Sequence, residues 1–121
     1  MPVNVKFNYL YRDAGNYKCW GSVVFANPDK MTVQKIEKRL KTSLFQRELF
    51  IASQIAVPQV FLYAENNAKQ DDHCFHEFES VELTKQKPND LLNRTIKHLV
   101  EQIEEESNKG WLAFIPHRER N

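Results

Sequence analysis

Glycine is scarce in this chain, with three residues in 121, beside five prolines and two cysteines. So few glycines leave no material for a phosphate-cradling loop, and no nucleophile elbow or HExxH pattern is present. Two cysteines, Cys19 and Cys74, are too few for a disulfide framework, which points to a reducing, cytoplasmic setting. No apolar run approaches the ~20 residues needed to cross a bilayer. The opening MPVNVKFNYL carries no basic-then-apolar leader, so no membrane partner and no export are expected. An excess of one charge is missing too: 17 Lys and Arg stand against 16 Asp and Glu. A dedicated nucleic-acid binder shows a strongly basic balance, and this chain does not.

What is present suits one packed domain over residues 1–121. Hydrophobic residues make up 41% and aromatics 12%, which excludes a disordered polymer or a linker-rich array. Charge is unevenly spread along the chain. Residues 1–61 hold nine Lys/Arg to four Asp/Glu, and residues 62–121 hold eight to twelve. The simplest use of that polarity is an intramolecular match across the fold.

Periodicity supplies the elements. Val3, Val5, Phe7, Tyr9 and Tyr11 alternate with Asn4, Lys6, Asn8 and Arg12, the pattern of a strand with one wet face. Asp13-Ala14-Gly15-Asn16 provides hairpin-turn chemistry, and Val23-Val24-Phe25 continues as a second strand that Asn27-Pro28-Asp29 stops. Over 32–46 the spacing becomes helical. Val33, Ile36, Leu40 and Leu44 form one stripe, with Thr32 as N-cap. A second helix is predicted over 90–107, burying Leu92, Ile96, Leu99 and Ile103. Asn89 or Asp90 is its cap, Arg94 faces away and Gly110 lies beyond its end. Between the helices, Val60 to Tyr63 and Phe75 to Leu83 read as strands and Asn66 to Asp72 as a loop. Phe50 to Ile55 and Trp111 to Ile115 are further strand candidates. The fold class is therefore α+β: an antiparallel or mixed sheet of four to six strands with two amphipathic helices on one face, roughly β-β-α-β-β-α.

The densest group of reactive side chains is DDHCFHEFE, spanning Asp71 to Glu79. Imidazole, thiolate and carboxylate all bind zinc, so His73 and His76 are the candidate metal ligands. Three residues apart on a strand, however, they project to opposite faces, and no second Cys/His pair completes a four-ligand site. We expect no metal and no cofactor. Cys74 with His76 or His98 would make a nucleophile and base, but acidic surroundings disfavour a thiolate. No catalytic residue is assigned. KCWGSVVF follows the RNA-recognition consensus at Lys18, Trp20, Gly21, Val23 and Phe25. It departs at Cys19, where glycine is needed, and at Ser22, where a stacking aromatic is needed. It also precedes any helix, so these aromatics are read as core. Pro2 invites comparison with the tautomerases, whose first strand runs into a helix; this one runs into a hairpin.

The strings YLYRDAGNYK and HEFESVE, with the Asn27-Pro28 turn, resemble a family of small uncharacterised bacterial proteins over about the first two-thirds of the chain. The resemblance implies a bacterial, cytoplasmic origin and carries no activity or catalytic residues. It directs attention to Arg12, Asp13, Asn16, Tyr17, His76 and Glu77 as a binding surface. Turn chemistry alone accounts for Asp13 and Asn16, and Arg12 with Glu79 is expected as a cross-strand ion pair. The favoured function is a small binding or interaction module, with a second copy as partner: three rows of large side chains on a sheet backed by two short helices leave apolar surface to cover. The alternatives are a metal-binding or hydrolytic enzyme using His73–Glu79, and a single-stranded nucleic-acid accessory protein using the Tyr/Trp/Lys hairpin. Both cysteines are expected to be reduced and mostly buried.

Overall fold

The computed structural model describes residues 3–12, 15–60 and 74–112. In chain order the elements are β1 (Asn4–Arg12), β2 (Lys18–Phe25), α1 (Val33–Ser43), β3 (Leu49–Phe50), a 3₁₀ turn (Ala52–Ile55), β4 (His76–Thr84) and α2 (Ile96–Lys109). The strands form an antiparallel sheet in the order β2-β1-β4-β3. The α+β class with four strands and two helices stands. Phe50 to Ile55 is a correction: only Phe50 is in a strand, and a 3₁₀ turn follows. The expected strand at 61–63, the loop at 66–72 and the segment 113–115 lie outside the described residues, and Val60, Trp111 and Leu112 are in no strand.

The alternation in β1 does what period two demands. Val5, Phe7 and Tyr9 enter one core with Phe25, Phe50 and Phe78, and with the buried stripes of both helices. Close packing there depends on Gly21. It sits opposite Tyr9, and a Cβ on Gly21 would lie 2.9 Å from the phenol ring. The ring therefore passes close over Gly21, and its hydroxyl donates to the Pro58 carbonyl at 2.8 Å.

A bulge shapes the β1–β4 pairing. Asn8 faces Ser80 but Tyr9 faces Phe78, which leaves Glu79 as the extra residue. An added residue flips every side chain beyond it to the other face. Phe78 and His76 thus turn toward the core and Glu77 toward Arg12. This corrects the expected pair: Arg12 bonds Glu77, at 3.2 and 3.3 Å, and not Glu79.

Helix α1 starts where expected but ends at Ser43, short of the predicted 46, where Gln46 takes φ +51°. The Thr32 hydroxyl accepts the Lys35 N–H, and Leu44 closes the C-terminus. Helix α2 starts at Ile96, six residues later than the sequence predicted, with Thr95 as N-cap accepting the His98 N–H. Residues 90–95 are a turn, in which the Asn93 N–H bonds the Asp90 carbonyl and Asn93 has φ +53°. Left-handed backbone cannot belong to a right-handed helix. Two side chains accordingly exchange places with the expectation. Leu92 is 59% exposed, whereas Arg94 is 9% exposed.

The charge polarity is spent internally at two places. Arg12 pairs with Glu77, and the Arg39 guanidinium bonds both Glu104 oxygens, at 2.6 and 2.9 Å, tying α1 to α2. Neither cysteine is in a disulfide. Cys74 is buried, but Cys19 is only half-buried, which corrects the expectation for that residue. Among the described residues no helix is long and apolar enough to cross a membrane.

Candidate functional site

Of the residues singled out from the sequence, Arg12, Asn16 and Glu77 converge at the hairpin end of the sheet. The Arg12 guanidinium holds the Glu77 carboxylate through Nε and Nη2 and the Asn16 amide oxygen through Nη1 at 2.5 Å. Asn16 is in left-handed backbone, φ +68°, as turn chemistry asks of asparagine. The hydrogen bond and charge of Glu77 raise the Arg12 pKa above its ordinary value. Tyr17 is beside this group in sequence and exposed. The cluster is a half-exposed electrostatic latch whose charges answer one another. Asp13 and His73 lie outside the described residues.

His76 belongs inside rather than on the surface. It is 0% exposed, ringed by Tyr9, Tyr11 and Phe50 with centroids 5.5–6.1 Å away. Its Nε2 accepts the Val60 N–H at 2.9 Å, so the ring is neutral with its proton on Nδ1. The bulge at Glu79 put it there. Among the described residues no group of three His, Cys, Asp or Glu side chains could hold a metal ion.

Sequence reasoning missed the most elaborate polar group. Every N–H of the Arg94 guanidinium has an acceptor: both Asp90 carboxylate oxygens (2.8 and 2.9 Å), the Ile55 and Ala56 carbonyls (2.6 and 3.0 Å) and the Gln102 amide oxygen (2.7 Å). The cation also lies 5.5 Å over the Phe25 ring. Burial pushes the Asp90 carboxyl up, but the hydrogen bonds from Arg94 outweigh it and leave its pKa below the usual carboxylate value. This group is a clamp between the 3₁₀ turn and the lead-in to α2. The i, i+4 spacing of Asp90 and Arg94 was visible, but it reads equally well as a surface helix pair.

Among the described residues, a strand edge and a cleft stand out as open to a partner. One is the outer edge of β2, an edge strand in the sheet order. Asn89 closes it at Val24, donating its N–H to the Val24 carbonyl (3.0 Å) and accepting the Val24 N–H on its side chain (2.8 Å). The other is a cleft of about 750 Å³ at the far end of the sheet from Arg12, between the start of β1, the 26–32 loop and the first turn of α1. Ligand pockets commonly occupy such volumes.

No family model, no curated protein and no solved structure matches the chain.

Proposed function

We propose that this chain is a small interaction module that works as a homodimer, two copies joining their β2 edges into one antiparallel sheet. The open outer edge of β2 carries the proposal. Val24 turns its N–H and C=O outward, and ladder alternation makes Lys18, Trp20 and Ser22 the other outward-facing residues. Among the described residues no strand pairs with them. Trp20, expected from the sequence to be core, is instead 58% exposed, and the segment that closes the edge at Val24 goes on to the exposed Leu91 and Leu92. Most of the β1 row expected to need cover does not: Val5, Phe7, Tyr9 and Tyr11 are fully buried within the chain, and only Val3, at 42%, stays exposed. Open surface has moved to the β2 edge. An unpaired edge without proline or a bulge is a template for another strand. A two-fold axis through Trp20 sets the two indoles side by side and Lys18 opposite Ser22. No like charges then meet, and the outward groups gain backbone partners.

Light scattering at ~100 µM, a concentration at which interfaces of ordinary size hold, should return twice the 14.3 kDa chain mass. Ser22→Pro removes an outward N–H and leaves the β1 ladder intact, and Trp20→Lys places two cations together. Both variants should run as single chains with unchanged circular dichroism. A single-chain mass for the unaltered protein, or a dimer that survives in folded forms of both variants, overturns the edge-paired dimer.

A further inference from the structure

The cleft at the far end of the sheet has a chemistry of its own. Its walls are mostly apolar, from Val3, Pro28, Met31, Val33 and Leu83. Two of these, Val3 and Leu83, are large side chains left 42% and 54% exposed at its rim. Among the described lining residues Lys30 is the one ionisable side chain, and there is no carboxylate. The loop that presents Lys30 is braced. Asn27 accepts the Met31 N–H on Oδ1 (3.0 Å) and donates Nδ2 to the Met31 carbonyl (3.1 Å), while the Lys30 N–H bonds the Asn27 carbonyl. Lys30 itself takes φ +53°, a left-handed conformation that the brace imposes.

The first turn of α1 borders the cleft. Thr32 uses its hydroxyl on the Lys35 N–H and its carbonyl on the Ile36 N–H. The N–H groups of Val33 and Gln34, the first two helical residues, have no acceptor among the described residues, and both residues line the cleft. No acidic side chain occupies the first turn of α1. The lining of an apolar cleft therefore includes an exposed lysine and two residues whose backbone N–H groups are unused at the positive end of a helix.

We infer that this cleft binds a small monocarboxylate with an apolar body, of the medium-chain fatty-acid class. The carboxylate is received by Lys30 and the Val33 and Gln34 N–H groups, and the chain lies along Val3, Met31 and Leu83. A neutral ligand could accept from the N–H groups but would leave the lysine's charge unanswered. A dianion would bring more charge than one lysine answers.

Titration with decanoate, followed by the amide resonances in ¹H–¹⁵N spectra, should shift Val33 and Gln34 saturably at one ligand per chain. Decanamide, of the same length and uncharged, should bind roughly tenfold more weakly, the scale of losing a charge-assisted hydrogen bond. Lys30→Asn keeps a residue that tolerates left-handed backbone and should bring decanoate down to the level of decanamide without changing decanamide binding. The Ser22→Pro chain keeps the cleft and should bind as the unaltered chain does, so ligand binding is scored apart from self-association. Absence of saturable shifts, equal affinity for acid and amide, or no effect of Lys30→Asn overturns the inference. So would shifts of the same two amides on dilution without ligand, which would make a second copy the occupant.

Discussion

Tyr9 joins three parts of the molecule through one side chain. Its ring covers Gly21 and touches Phe7 and Phe50 at centroid distances of 5.5 and 5.7 Å, and its hydroxyl holds the Pro58 carbonyl. Burial pushes its pKa from 10.0 up to about 12. The sign of the consequence follows from linkage. The unfolded chain gives up this proton near pH 10 and the folded chain only near 12, so the native state loses stability as pH rises through that window. Two units correspond to about 2–3 kcal/mol at most. Tyr9→Phe should cost about 1 kcal/mol at pH 7 through the lost hydrogen bond. Between pH 10 and 12 it should then lose less stability than the unaltered chain. Parallel alkaline unfolding curves for the two proteins would show that Tyr9 is not the titrating group. Gly21 is the residue that allows this geometry, because any side chain there meets the phenol ring. With only three glycines in the chain, this one is committed to core packing.

At the scale of elements, the start of α2 is the point to test. The stripe Ile96, Leu99 and Ile103 was legible because i, i+3, i+7 spacing on a helix buries a single face. The start was not. Asp90 and Thr95 are both good N-cap residues, and Leu92 extends the apolar spacing upstream. Tertiary contacts decide between them: Thr95 bridges to Ala26 and the Ile96 N–H bonds the Ala26 carbonyl at 2.8 Å, so the chain is held extended until there. Thr95→Ala should therefore cost about 1 kcal/mol in urea unfolding, the usual loss of a cap. Inside a helix begun at Asp90, the same change would instead stabilise slightly. Asp90→Ala should cost more, about 3 kcal/mol or above, because it strands a buried guanidinium. As the pH falls through the lowered Asp90 pKa, the unaltered chain should lose part of that stability, since the depressed carboxylate contributes only while ionised. The same limit explains the candidate site. Alternation placed β1 correctly, but nothing local announces the bulge at Glu79, and that one residue decides that Glu77 meets Arg12 and that His76 is core. The Arg94 clamp was illegible for a similar reason, as its acceptors at Ile55 and Ala56 are backbone carbonyls nearly forty residues away.

At the scale of the whole molecule, the two cysteines report on assembly. Cys74 is buried, so a thiol reagent reaches it only when the start of β4 opens. Cys19 is half-buried on β2, its backbone paired to Tyr11 and its side chain on the face opposite Trp20. A second β2 laid against this edge narrows the approach to Cys19 and leaves Cys74 as it was. Labelling should thus be biphasic, Cys19 first. Raising the protein from about 1 to 100 µM should slow the fast phase only, because ordinary interfaces form across that range. In Ser22→Pro the fast phase should be independent of concentration. If Cys74 reacts as quickly as Cys19, the start of β4 is far looser than its burial implies. If the fast phase ignores concentration in an unaltered chain that scatters as a dimer, the two copies meet somewhere other than β2, and the uncovered Trp20 edge must serve a different partner.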